Sequence, residues 1–146
     1  MKKIFLTVVL IASLILSGCS AVDSLSDDIY DQVSNVAQST NKYIMTIQSA
    51  KMNGSSHTYK EVFDNFFASP TWKHFTSTEG QEVVEFTGKC MYDNQNVKAK
   101  IQFVITNETA DYLEWEASYL SFNDVSQSLL MLGALFEAAI QEYPAN

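Results

Sequence analysis

The chain of 146 residues holds few side chains of the kinds that act as nucleophiles, bases or metal ligands. It has two cysteines, Cys19 and Cys90, and two histidines, His57 and His74. A cysteine beside a histidine makes a nucleophile and its base, so Cys90 with His74 is the pair to weigh first. Cys90, however, shares the inward alternation of a predicted strand, where a thiol is usually an inert small apolar group. We therefore expect Cys90 to be structural.

Other patterns of catalysis and metal binding are missing from the sequence. Zinc needs about three or four ligands at workable spacing, and no such cluster exists. There is also no G-x-S-x-G, no glycine-rich phosphate loop and no H-E-x-x-H. Glu114 and Glu116 could act as paired acid and base, but their spacing is equally typical of a solvated sheet face. We therefore predict no catalytic residue, no metal, no cofactor and no enzymatic activity.

Cys19 follows directly after an apolar N-terminal segment. Lys2 and Lys3 precede the apolar residues 4–16, and small residues come next, which is typical of a secretory signal peptide. The segment is shorter than the roughly 20 residues that span a bilayer, and a retained membrane helix is the alternative. Residues Leu16–Cys19, Leu-Ser-Gly-Cys, resemble the lipobox of bacterial prolipoproteins. In that family the cysteine thiol receives a diacylglyceryl group, and a peptidase then cuts just before the cysteine.

The lipobox resemblance implies a membrane-anchored protein outside the cytoplasm. Residues 1–18 would be the removed signal peptide, Cys19 the lipid attachment site, 19–28 a lipidated tether and 29–146 a single domain. Two or three acyl chains hold a protein stably on a membrane, where one would not. The anchor would lie in the cell membrane, or in the outer membrane of a two-membrane bacterium. An unmodified cysteine beside an ordinary cleavage site is the alternative.

The composition describes an acidic domain that must fold by packing alone. The net charge is −8, and removal of Lys2 and Lys3 makes it more negative. Every basic residue is lysine. Nucleic acid usually requires clustered lysine and arginine, and anionic lipid repels an acidic surface. We therefore expect neither as a partner. With Cys19 lipidated, Cys90 has no cysteine in the chain with which to form a disulfide.

Hydrophobic spacing predicts two helices in the N-terminal half. Apolar residues at steps of three and four predict an amphipathic helix over 25–50. Its first turns carry several aspartates, which suit a helix N-terminus and, as the alternative, a cation site. Thr58 and Glu61 have the spacing of a capping box at the start of a second helix. Pro70 is predicted to close that segment.

Alternating apolar residues then predict three antiparallel strands, over 83–92, 97–105 and 112–122. The inward positions of the third strand are assigned to Leu113, Trp115, Ala117 and Tyr119. A final helix is expected after a cap at Asn123 or Asp124. Its predicted apolar stripe comprises Leu129, Leu130, Leu132, Leu135, Phe136, Ala139, Ile140 and Tyr143. The predicted fold is an α+β two-layer sandwich, with N-terminal helices and a C-terminal helix packed on a three- to four-stranded antiparallel meander.

The chain from Thr58 onward resembles a small domain of uncharacterised, surface-anchored proteins of Gram-positive bacteria. The segments that carry the resemblance are 62–67, 69–72, 84–90, 101–103 and 120–125. That family brings no established activity, so the resemblance implies fold and location and adds no chemistry.

Aromatic side chains on the outer face of the sheet are the candidate binding residues. Tyr112 and Phe122 alternate with Leu113 and Trp115, so on the outer face they would anchor a partner protein. A position in the core is the alternative for each of them. The first functional hypothesis is therefore a non-enzymatic, lipid-anchored interaction module for a protein or envelope partner. The alternative is a lipid-anchored carrier that holds a small apolar ligand in a cavity between helices and sheet.

Overall fold

A computed structural model describes residue 38 and residues 40–144 of the chain. In this part, three helices pack on a five-stranded antiparallel sheet in which each strand pairs with the next along the chain. The elements are α1 (Lys42–Ser49), α2 (Tyr59–Phe66), β1 (Ala68–Thr76), β2 (Glu82–Tyr92), β3 (Gln95–Glu108), β4 (Leu113–Phe122), β5 (Val125–Ser126) and α3 (Leu129–Glu142). The predicted α+β meander is confirmed, with more strands than predicted. The predicted signal peptide, Cys19, the tether and residues 25–37 of the predicted first helix lie outside the described residues. The prediction of one continuous helix over 25–50 is wrong, because the backbone of Asn41 is extended and α1 begins only at Lys42.

Side-chain caps begin the first two helices. At α1, the Oδ1 atom of Asn41 accepts from the backbone N–H of Tyr43 at 3.0 Å and of Ile44 at 3.3 Å. At α2, the Thr58 hydroxyl accepts from the N–H of Glu61, and the Glu61 carboxylate accepts from the N–H of Thr58 at 2.8 Å. The predicted capping box is therefore confirmed, because both free amides find an acceptor.

Pro70 lies inside strand β1 and does not close a helix, so this part of the prediction is wrong. Helix α2 ends earlier, at Phe66. β1 is the edge strand of the sheet, and its register shifts between Ala68 and Thr71. Edge strands and bulges are the places where a sheet tolerates proline, because the missing N–H is not needed there.

Strands β2 and β3 form a hairpin with a two-residue turn. Asp93 and Asn94 have φ values of 48° and 57°, as a type I′ turn requires at both central positions. The predicted inward alternation is confirmed by the buried side chains Val84, Phe86, Cys90, Val97, Ala99, Ile101 and Phe103. Gly88 lies on this inward face, where a Cβ atom would come within 2.7 Å of the Phe67 Cβ. Only glycine therefore allows α2 and β2 to approach this closely.

Strand β4 contains a bulge that the sequence pattern did not reveal. Tyr119 pairs with Gln102 and Ala117 pairs with Phe103, so Ser118 has no partner on β3. One extra residue reverses the face of every side chain that follows it.

Two predictions about β4 are wrong because of this bulge. Phe122 is only 5% exposed and belongs to the core, so it does not face outward. Tyr119, predicted to face inward, shares the outer face with Gln102, and its hydroxyl accepts a hydrogen bond from Ser126 at 3.2 Å. The inward positions after the bulge are those of Leu120 and Phe122.

The last helix begins later than predicted. Asn123 and Asp124, with φ values of 48° and 64°, form a tight turn into β5 and do not cap a helix. The cap is Ser128, whose hydroxyl accepts from the N–H of Met131 at 3.2 Å. Leu129 and Leu130 consequently form the first turn, and they are 64% and 85% exposed. Their assignment to the buried stripe is therefore wrong, whereas Leu132, Leu135 and Ala139 are buried.

Aromatic rings fill the space between helices and sheet. Phe63 of α2 is completely buried, and its ring centroid lies 4.6 Å from that of Phe86. Its ring also contacts those of Tyr59, Phe67, Trp72, Phe103 and Phe136. The centre of the domain around Phe63 is therefore a packed aromatic core.

Candidate functional site

The structure does not bring Cys90 and His74 together. His74 faces Val84 in the β1–β2 register, whereas Cys90 faces Val97 near the other end of β2. At about 3.3 Å per residue, the two positions are roughly 20 Å apart along the strand. Burial, and secondarily the charge of Glu142, raises the pKa of the Cys90 thiol. A thiol that keeps its proton and has no adjacent base is a poor nucleophile.

Both ring nitrogens of His74 are engaged in hydrogen bonds. The Oδ1 atom of Asn41 already caps α1, so its amide NH₂ donates to His74 Nδ1 at 3.1 Å. His74 Nε2 therefore carries the proton and donates it to Glu82. The His74 backbone N–H donates to Gln38 at 2.8 Å, and the ring of Tyr43 stacks on the imidazole. His74 thus fastens α1 to the sheet, with no nitrogen left to act as a base.

The two predicted partner-binding residues do not form a patch. Tyr112 is 52% exposed just before β4, and its hydroxyl donates to Glu114. Phe122 lies at the other end of β4 and is buried. Glu114 and Glu116 do not share an apolar pocket that could separate their acid and base roles, because both are exposed.

A groove of about 930 Å³ lies between α3, strand β4 and the loop that follows α1. Its walls come from three segments that are far apart in the sequence. They consist of Lys51, Met52, Asn53, Gly54, Tyr59, Trp115, Glu116, Ala117, Gly133, Phe136, Glu137, Ile140 and Gln141. The groove is open to solvent, and no sequence motif indicated it.

Tyr59 forms a rigid part of the groove. The side chain is only 6% exposed, and its ring makes edge-on contacts with those of Phe63, Trp115 and Phe136 at centroid distances of 5.3 to 5.7 Å. Burial raises the pKa of the Tyr59 hydroxyl. The groove therefore presents a fixed apolar surface that is built on packed aromatic rings.

The groove follows an unpaired edge of the sheet. β5 pairs only with Ser121 and Phe122, so, among the described residues, positions 113–119 of β4 have a strand neighbour on one side alone. Trp115, Glu116 and Ala117 all line the groove. Because consecutive side chains of a strand point to opposite faces, three consecutive lining residues place the groove along the backbone edge itself.

The rim of the groove carries opposed acidic side chains. Glu116 lies on the β4 wall and Glu137 on the α3 wall, and neither forms an ion pair within the described residues. Lys51 also lies on the rim. The pKa of Glu61 is lowered mainly by hydrogen bonds from Thr58, with a smaller effect from the charge of Lys51. Two carboxylates and one lysine therefore lie along the groove, which leaves its rim with a net negative charge.

Gly133 lies in the wall of the groove, and neither its backbone conformation nor its packing requires a glycine there. It lies inside α3, where glycine costs about 1 kcal/mol relative to alanine, and nothing lies within 4 Å of the position of its Cβ. We expect Gly133→Ala to raise the free energy of unfolding by about 0.5–1 kcal/mol, measured by urea denaturation. The matched Ala134→Gly, at the neighbouring exposed position, should lower it by a similar amount. An unchanged or destabilised Gly133→Ala variant would show that the fold itself needs this glycine.

Neither a metal-binding cluster nor a membrane-spanning helix is found in the described part of the chain. Residue 38 and residues 40–144 hold no group of three His, Cys, Asp or Glu side chains that could bind a metal ion. In the same residues, no helix has the length and apolarity to cross a membrane. Comparison of the chain with protein families, with curated proteins and with solved structures finds no match.

Proposed function

We propose that this protein is a lipid-anchored, extracytoplasmic lipoprotein that binds a segment of a partner protein and catalyses no reaction. The N-terminal pattern that ends at Cys19 supports the anchor. The engaged nitrogens of His74 and the protonated, isolated thiol of Cys90 support the absence of catalysis. A protein held at the membrane surface meets other membrane-bound partners at a high effective concentration, so even a modest affinity suffices.

The open, aromatic groove along β4 is the observation that carries the binding role. Tyr59, Trp115 and Phe136 give it large apolar contacts on a rigid core, and such aromatic anchors dominate the energetics of protein interfaces. Sites for small ligands usually bury most of the ligand. This groove is open to solvent along a strand edge. A segment of a protein therefore suits it better than a small enclosed molecule.

The groove can be tested with random seven-residue peptides displayed on phage and selected on the full chain in detergent. Selected peptides are then synthesised with a fluorophore, and their affinity is measured by anisotropy. We expect Gly133→Phe, which places a ring in the open space of the groove wall, to weaken binding about tenfold or more. Ala134→Phe, next to it on the exposed surface of the same helix, should leave affinity unchanged.

Three outcomes would contradict the proposed function. The first is a selection that enriches no binding peptide, and the second is equal binding by the Gly133→Phe and Ala134→Phe variants. The third is stoichiometric binding of lauric acid that Gly133→Phe abolishes while no peptide binds. That last result would establish the carrier of a small apolar ligand in place of the interaction module.

A further inference from the structure

The unpaired edge of β4 specifies how a segment would bind in the groove. A strand edge presents a row of free N–H and C=O groups, and an added strand satisfies them. Residues 113–119 of β4 offer such an edge directly beside the aromatic side chains. An extended segment sends alternate side chains to one face. It could therefore pair with β4 through its backbone while every second side chain contacts Tyr59, Trp115 and Phe136.

The charges of the rim specify the chemistry of that segment. Glu116 and Glu137 stand on opposite walls, outnumber the one lysine of the groove, Lys51, and form no ion pair within the described residues, on a chain whose net charge is −8. Complementary charge steers a partner to a surface and rejects partners of like charge. A lysine or arginine side chain placed between these two walls would complement both carboxylates.

We propose that the occupant of the groove is an extended, positively charged segment of a partner protein, which adds as a strand to the free edge of β4. It carries a lysine or arginine between Glu116 and Glu137, and apolar side chains that contact the aromatic surface. This inference rests on the proposed function, because it names the partner of the same groove.

Two other occupants fit the groove less well. A second copy of the chain, paired antiparallel through β4, would set Glu114 and Glu116 against the same residues of its partner, and like charges directly opposite each other destabilise a sheet. Residues 20–37 of this chain contain four aspartates and no basic residue. They therefore have the same sign of charge as the rim.

The composition and backbone of the selected peptides test this inference. We expect enrichment of lysine or arginine flanked by apolar residues, and an affinity that falls as salt is added. The double variant Glu116→Gln/Glu137→Gln should lose about 2- to 5-fold in affinity per charge removed. Its matched control, Glu79→Gln/Glu142→Gln, removes two exposed carboxylates outside the groove and outside β4, and should bind as the wild type does. The mass of the full chain in detergent, measured by light scattering, should correspond to one copy.

Backbone methylation of the peptide tests strand addition separately. A strand paired on one side directs the N–H groups of alternate residues to its neighbour. N-methylation at those positions should weaken binding about tenfold or more, and methylation at the positions between them should be tolerated.

The possible failures are distinguishable. Neutral or acidic selected peptides, or equal affinities of the two glutamine double variants, would contradict the inference that the partner segment is positively charged. Tolerance of methylation at every position would overturn strand addition. In both cases the Gly133→Phe variant would still weaken binding, so the groove would remain the binding site. A dimer that competes with the peptide would replace the partner protein by a second copy.

Discussion

Cys19→Ala is expected to abolish all incorporation of lipid into the protein. Only a thiol at the end of the Leu16–Cys19 sequence can form the thioether to the diacylglyceryl group that the lipobox resemblance implies. Cells grown with an alkyne-tagged fatty acid should therefore label the wild-type protein and leave the variant unlabelled, as read by in-gel fluorescence. The variant should also keep residues 1–18, because the peptidase requires the modified cysteine, and its intact mass would show this.

The second cysteine supplies the control for this experiment. Cys90 is buried on the inward face of β2, out of reach of an enzyme that modifies the chain at the membrane. Cys90→Ala should therefore label as strongly as the wild type does. An unlabelled wild type, indistinguishable from the Cys19→Ala variant, would remove the anchor and with it the proposed location outside the cytoplasm.

Phe63→Ala is expected to cost about 3–5 kcal/mol of unfolding free energy, the usual range for truncating a buried aromatic side chain. Phe63 is completely buried, and its ring contacts other aromatic rings from α2, three strands and α3. The cavity left behind could not close without moving several elements. Because small domains have a total stability of about 5–15 kcal/mol, this loss would remove a large share of it.

Phe66 of the same helix is the matched control. It is half-buried, and its one aromatic contact is with Phe67 at 4.9 Å. Phe66→Ala removes the same atoms from a site that solvent already reaches, so its cost should be clearly smaller. Urea denaturation followed by circular dichroism measures both. Equal losses of unfolding free energy in the two variants would contradict a central role for Phe63 in the core.

Local signals in the sequence predicted those features that depend on neighbouring residues alone. The capping box of Thr58 and Glu61 and the alternation in β2 and β3 are local, and the structure has them. The bulge at Ser118 is not local, because it exists only in the pairing of β4 with β3. Pro70 was misinterpreted for a similar reason. A proline interrupts most elements, but the position of its strand at the edge of the sheet makes it acceptable.

The groove was beyond sequence reasoning because tertiary packing creates it. Residues around 52, 116 and 137 come from a loop, a strand and a helix, and no spacing rule connects them. The aromatic residues predicted to bind a partner, Tyr112 and Phe122, do not line the groove. Trp115 is the aromatic residue of β4 that does line it. The signal that could have led to the groove is Gly133, a costly glycine in an otherwise strongly apolar helix.

The cluster around His74 also determines how the domain would carry a mechanical load. A pull on the chain before residue 38 reaches the fold through Gln38 and Asn41, whose side chains bind the backbone and ring of His74. From there Glu82 passes the load to β2. If the chain is anchored as proposed, a pull from the bilayer would thus be shared between β1 and β2 instead of acting on α1 alone.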